Sequence, residues 1–231
     1  MYKLGIKHDT DKITHHGYHR FYDYFLKPIK NNKMNVLEIG VYKVNSIQLW
    51  LDFFKNANIY GIDINKIYFT DDRVQIFKGD QSNMNDLKKI VNKIGKCGFI
   101  IDDGSHVPKH QLDTFNYLFD KCLDYGGIYI IEDVETSYWK KSKLYGYDID
   151  AGYMDKNSIV EIFKDILDIV NSEFLTKENK EILQKKSKIS YQNLKYISMI
   201  NFGYNCIIIK KMTLEDYEKY GKRKYRYAFR L

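Results

Sequence analysis

Proline is nearly missing from this chain, with two residues in 231, Pro28 and Pro108. No Pro-rich linker divides it, and no internal repeat is visible. Long apolar runs are missing too. Nothing approaches the roughly 18 consecutive apolar residues of a membrane span, so no contact with a membrane is expected. Met1 to Lys12 is polar and lacks the apolar stretch of a signal peptide, which leads to the expectation of a cytoplasmic protein. Cysteine is scarce: Cys97, Cys122 and Cys206 are odd in number, lie far apart and form no metal or redox spacing. Buried, reduced thiols are the reading they support.

What is present is an ordinary globular balance, 44% hydrophobic and 29% charged, in a length that suits one domain with a full core. A single domain over 1–231 is therefore expected, with an N-terminal helical segment at 1–33, an insertion or lid at 135–188 and a basic tail at 211–231. The net charge of +7 admits an anionic partner. In the tail, Lys222, Arg223, Lys224 and Arg226 alternate with Tyr220, Tyr225 and Tyr227, a pattern that can hold single-stranded nucleic acid. A solvated tail or a subunit contact is the commoner use of such a patch. Nucleic acid is not the expected partner, and a homo-oligomer stays open.

Short apolar runs alternate with helical periodicity from Val36 to Val134. Strands are expected at Val36–Ile39, Ile59–Ile64, Val74–Phe77, Phe99–Ile101 and Ile128–Ile131, the last preceded by a break at Gly126 and Gly127. Between them, Ile47 to Phe54, Leu87 to Ile94 and Leu112 to Cys122 recur at helical spacing. Uninterrupted apolar strands separated by amphipathic helices imply a parallel sheet covered on both faces, a doubly wound α/β fold. Leu194–Ile200 and Tyr204–Ile209, around Asn201, Phe202 and Gly203, read as a closing antiparallel hairpin. In the insertion, Tyr-rich loops are expected beside one helix, predicted by Ile159, Ile162, Phe163, Ile166, Ile169 and Val170. Gly17 to Leu26 predicts another, stopped at Pro28.

Open α/β sheets bind ligands beyond the carboxyl ends of their strands, and polar residues gather there. The strands end in Glu38-Ile39-Gly40, Gly61-Ile62-Asp63, Gly79-Asp80-Gln81, Asp102-Asp103-Gly104-Ser105-His106 and Glu132-Asp133. Asp63 has the spacing of a carboxylate that accepts from the ribose hydroxyls of an adenosine cofactor. The turn after the first strand has one glycine where dinucleotide binding needs three, which argues against a nicotinamide cofactor.

These segments resemble those of the S-adenosylmethionine (SAM)-dependent deoxysugar O-methyltransferases of macrolide and tetracenomycin biosynthesis. The resemblance rests on Leu37-Glu38-Ile39-Gly40-Val41-Tyr42, Tyr60-Gly61-Ile62-Asp63, Gly79-Asp80-Gln81, Ile101-Asp102-Asp103-Gly104-Ser105-His106 and Glu132-Asp133-Val134-Glu135-Thr136-Ser137-Tyr138-Trp139. It runs from Thr10 to Lys210, and macrocin-type enzymes and cephalosporin-hydroxylase-like proteins look like further relatives. The resemblance implies a class I, Rossmann-like methyltransferase sheet and methyl transfer to a sugar hydroxyl, favoured as the 2-OH of a deoxyhexose such as rhamnose, free, nucleotide-linked or in a glycan. It implies Asp103, Glu132 and Asp133 as ligands of Mg²⁺ (or Mn²⁺), and His106 as the base. For SAM it implies Glu38, Gly40, Ser46, Asp63, Gln81 and Asp103, with Thr10 and Tyr18 closing over the cofactor. The chemistry agrees, because hard carboxylates suit Mg²⁺ and a neutral histidine beside them can take a hydroxyl proton. The chain departs from the family at Val44 and Asn45, where a Gly-Gly pair is usual: asparagine tolerates a left-handed backbone and valine does not. A catechol-type enzyme, an RNA ribose methyltransferase working through a lysine without metal, and an inactive SAM-binding protein are the rivals. His15 and His19, four apart, lack further ligands of zinc type.

Overall fold

The computed structural model describes residues 1–171 and 174–220. The tail positions Lys222 to Tyr227 lie outside the described residues. The elements run α1 (Tyr2–Lys7), α2 (Asp11–Thr14), α3 (His19–Leu26), β1 (Asn35–Ile39), α4 (Asn45–Phe53), β2 (Asn58–Asp63), β3 (Val74–Lys78), α5 (Met84–Ile94), β4 (Cys97–Asp102), α6 (Pro108–Lys121) and β5 (Leu123–Glu132). The chain continues through β6 (Ser142–Leu144), β7 (Tyr147–Ile149), α7 (Ile159–Lys164), α8 (Ile166–Val170), α9 (Lys177–Lys186), α10 (Tyr191–Leu194), β8 (Ile197–Gly203), β9 (Cys206–Lys211) and α11 (Leu214–Lys219). None of the described helices is long and apolar enough to cross a membrane.

Seven strands form one sheet in the order β3-β2-β1-β4-β5-β9-β8. The first five are parallel, β9 runs antiparallel to β5, and β8 is antiparallel to β9. The expected doubly wound sheet with a closing hairpin is therefore what the chain forms. Side chains alternate along each strand and feed two apolar layers. Tyr129 and Ile131 of β5 pack with Leu37, Phe115 and Phe163 on one face, whereas Ile128 and Ile130 pack with Val36, Phe99 and Trp50 on the other. In α5, Leu87, Ile90, Val91 and Ile94 lie on one buried stripe, and Asn83 caps the first turn by accepting from Asn85 N–H at 3.0 Å. Removal of each such aliphatic side chain from water contributes about 1.5–3 kcal/mol before entropy is deducted.

Four local expectations need correction. Gly126 and Gly127 do not precede the fifth strand; they sit inside β5, where pairing with β4 shifts register between Cys97 and Phe99. Gly126 takes φ +74 and donates its N–H to Met212. The last hairpin does not turn at Asn201–Gly203. β8 runs to Gly203, which pairs with Cys206, so the turn is Tyr204-Asn205, with Asn205 at φ 56. The insertion helix is two helices broken at Asp165, and Val170 is 40% exposed rather than on the packed face. The stretch read as Tyr-rich loops contains a small hairpin, β6–β7.

Candidate active site

The strand order reverses between β1 and β4, and there the two strand ends close on one another. Asp103 N–H donates to Ile39 at 2.9 Å, and Gly40 N–H donates to Ile62 at 2.8 Å. Gly40 takes φ +85, and a Cβ on it would lie 1.9 Å from the Asp103 carbonyl oxygen. Only glycine fits that position. Beyond it the chain turns through Tyr42 (φ 49) and Val44 (φ 60, ψ 5) into α4. The left-handed residue is thus the valine itself, while Asn45 opens the helix and donates from Nδ2 to the Asp9 carbonyl at 2.9 Å. Asp63 holds this turn, accepting on Oδ2 from Val41 N–H (3.1 Å) and Tyr42 N–H (3.0 Å) and on Oδ1 from Asn65 N–H (2.8 Å).

A pocket of about 210 Å³ opens at the turn, lined by Gly40, Tyr42 and Ser46 together with Thr10, Lys12 and Asp103. Thr10 is buried and its Oγ1 has no hydrogen-bond partner. Ser46 donates to Glu38 Oε2 at 2.8 Å. Burial pushes the Glu38 carboxyl up to about 7, against the pull of Lys12. Gln81 bridges two strand ends, donating to Asp102 Oδ1 at 2.6 Å and accepting from Ser105 N–H at 2.8 Å. Burial also pushes Asp102 up to about 7.

Next to the pocket lies a cluster of Asp103, His106 and Asp133, each offering one ligand atom, with these atoms all within 4.8 Å of one another. Among the described residues it is the only such group. His106 and Asp133 both adopt left-handed backbones, φ 54 and φ 52. Strain of this kind persists only where the surroundings enforce it. Thr136 helps to do so, donating from Oγ1 to the His106 carbonyl at 2.7 Å. His106 Nε2 lies 3.8 Å from Asp133 Oδ2, and its buried Nδ1 has no partner. Asp133 Oδ1 accepts from Tyr18 at 2.7 Å and from Asn205 Nδ2 at 3.0 Å.

Tyr18 therefore stands on Asp133 and is not itself among the residues that line the pocket; its ring stacks between His16 (5.0 Å) and Tyr22 (5.5 Å). Glu132 is set apart from the cluster. One of its oxygens accepts from Tyr22 and the other from Lys12 at 2.5 Å. Lys12 also donates to Asp103 and lies 3.4 Å from Glu38. Burial alone would lower the pKa of this ammonium, but Asp103, Glu132 and Glu38 outweigh it and carry it well above the ordinary value. Lys12 and Tyr22 were not anticipated. Lys12 lies in a polar stretch with no periodicity to mark it as buried. Tyr22 did carry a signal, four residues after Tyr18 on the expected helix.

Of the other N-terminal histidines, His15 packs edge-on against His16, with ring centroids 4.6 Å apart, whereas the remaining two lie elsewhere. His8 bonds Gln48 and Asp52, and His19 packs on Tyr2. From the insertion, Tyr145 at the tip of the β6–β7 hairpin reaches over His106, with ring centroids 5.8 Å apart.

The chain matches no protein-family model. It is 34% identical over 144 residues to 8-demethyl-8-alpha-L-rhamnosyl tetracenomycin-C 2'-O-methyltransferase of Streptomyces olivaceus, covering 59% of this chain and 38% of that protein. It is 31% identical over 172 residues to demethylmacrocin O-methyltransferase of Streptomyces fradiae, covering 71% and 42% respectively. The chain thus matches less than half the length of these relatives. Its structure superposes on the MycE methyltransferase from the mycinamycin biosynthetic pathway, in complex with Mg, SAH and mycinamycin VI, with a TM-score of 0.77 and 28% identity over 92% of this chain and 53% of that one. In sequence and in fold, the chain is related to sugar O-methyltransferases.

Proposed function

We propose that this chain transfers a methyl group from SAM to a sugar hydroxyl, with a divalent ion, Mg²⁺ or Mn²⁺, at the strand ends. The observation that carries the reading is the position of Asp103, which belongs both to the pocket lined by Gly40 and Ser46 and to the cluster with His106 and Asp133. A donor in that pocket and an acceptor held at the cluster would meet at one carboxylate. The sugar acceptor is supported by the relatives, one of them a rhamnosyl 2'-O-methyltransferase and another bound to mycinamycin VI. The 2-OH of a deoxyhexose is the favoured position.

The residues fit both groups. Two carboxylates and an imidazole with ligand atoms within 4.8 Å are a donor set for a hard divalent cation, with Glu132 as a third carboxylate close by. The buried, unpartnered Thr10 Oγ1 and the pocket lined by Gly40 and Ser46 fit a polar cofactor. The ion would supply positive charge beside the acceptor hydroxyl, and SAM the methyl group. Asp63 would shape the turn against the adenosine, and Ser46, Glu38 and Gln81 would fix the pocket's inner wall. Thr10 would close it. Tyr18 would act by orienting Asp133. His106, sheltered and with one nitrogen unpartnered, would accept the hydroxyl proton. The chain 1–231 would act as one domain, with 135–188 as a lid that brings Tyr145 over the acceptor.

Calorimetry with SAM, followed by methyl transfer to rhamnosyl acceptors with and without a chelator, tests this reading. SAM binding that survives chelation and transfer that stops until Mg²⁺ is restored are expected. Failure to bind SAM would sink the reading. A second one, metal-free transfer to an RNA ribose, is favoured by a single observation, the buried lysine among carboxylates. Methyl transfer to an RNA ribose, undiminished in excess chelator, would select it.

A further inference from the structure

Asp103 and Glu132 approach one another from the ends of β4 and β5, and Lys12 Nζ stands between them. As long as it does, the ammonium occupies the place between Glu132 and Asp103 that a shared divalent ion would take, and the other Glu132 oxygen accepts from Tyr22. The ligand atoms that remain close together are those of Asp103, His106 and Asp133. That set spends His106 as a ligand, whereas a proton acceptor needs its ring nitrogen free. Three carboxylates around an ion would release the imidazole, but only if Glu132 joins them.

We propose that Lys12 is an internal counter-cation that exchanges with the divalent ion. It neutralises Asp103 and Glu132 in the absence of the ion and gives up Glu132 when the ion arrives. The positioning of His106 as a free base then follows from that exchange. The proposal rests on the reading that Asp103 and Asp133 hold a divalent cation. Two arguments support it. Glu38 and Glu132 are almost fully buried, and carboxylates in that setting need a compensating charge. An ammonium and a divalent ion seeking the same oxygen also repel each other strongly at contact distance. The lysine sits on α2, a single turn whose Asp11, Thr14 and the following His15 are exposed, so only Lys12 and Ile13 of the turn itself are buried.

The test is Mn²⁺ binding to the full chain, read from the electron paramagnetic resonance signal of the free ion. It compares the native protein, Lys12→Met, Glu132→Gln and the double variant. Lys12→Met is expected to tighten Mn²⁺ binding at least tenfold, and the gain should vanish in the double variant, which lacks the carboxylate that the lysine releases. Unchanged or weaker binding by a folded Lys12→Met overturns the exchange. So does a gain that persists in full with Glu132→Gln, since repulsion at a distance would then explain it. Should Lys12→Met fail to fold, amide hydrogen exchange on the native protein decides: residues 11–14 should exchange faster at saturating Mn²⁺, and unchanged or slower exchange overturns the proposal. No stoichiometric Mn²⁺ uptake by any variant would overturn the metal reading and the exchange with it, whereas the earlier outcomes overturn the exchange alone.

Discussion

Gly40 and Asp103 touch backbone to backbone, so closely that a Cβ on the first would lie 1.9 Å from the carbonyl oxygen of the second. The contact seals the ends of β1 and β4 and sets where the Asp103 carboxylate points. Gly40→Ala should destabilise the chain by about 2–4 kcal/mol, combining overpacking with a left-handed alanine. Urea unfolding checks this, and a midpoint within error of the native one would contradict it.

Val44 occupies a left-handed conformation at φ 60, which costs a β-branched residue about 1–2 kcal/mol. Val44→Asn should recover about 0.5–1 kcal/mol, because asparagine visits this region with less strain and Val44 is only half-buried. Thermal unfolding would register a higher midpoint. A lower one would mean that the valine's packing outweighs its strain.

His106 has a buried ring with one nitrogen unpartnered and the other 3.8 Å from Asp133. If it accepts the hydroxyl proton, His106→Ala should lower kcat by about 10²–10⁴-fold at saturating acceptor. SAM affinity by calorimetry should stay close to native, because the ring is not among the residues that line the pocket over Gly40. A variant keeping half of native turnover would remove the base from the mechanism.

Glu38 ties folding to pH. Its carboxyl is pushed up to about 7 by burial, from an ordinary value of 4.5. Between these values the folded chain holds a proton that the unfolded chain has lost, so stability falls as pH rises through this window and is level beyond it. The loss should be about 2–3 kcal/mol. Glu38→Gln, compared with the native chain in urea at pH 4.5, 6 and 7.5, should make that slope shallower and leave the part that the buried Asp102 contributes. Parallel profiles would show that Glu38 is ionised throughout.

The strands were legible because a covered parallel sheet demands uninterrupted apolar runs such as Val36–Ile39 and Ile128–Ile131, and such runs stand out in a chain otherwise rich in lysine and asparagine. The strand-end carboxylates were legible by position alone. Lys12 was not: a lysine is buried only when partners distant in sequence surround it, and Glu38, Asp103 and Glu132 do so through the fold. Gly126 and Gly127 misled because glycine punctuates loops more often than it marks an irregular strand. The turn at Tyr204-Asn205 was obscured by Gly203, a better turn former that here ends a strand. Valine is a poor residue for a left-handed turn, yet the chain makes the turn with Val44.

Because β8 runs in the direction of β5, the turn into β9 arrives at the same end of the sheet as Asp133, and Asn205 there binds both Asp133 and Tyr18. Tyr18 and Asn205 are 187 positions apart. On the ribosome, then, Asp133 cannot gain its second clamp, Asn205, until the closing hairpin has emerged, long after the parallel strands could have begun to pair. Closing so long a loop is slow, and the acidic cluster should be among the last parts of the molecule to become ordered.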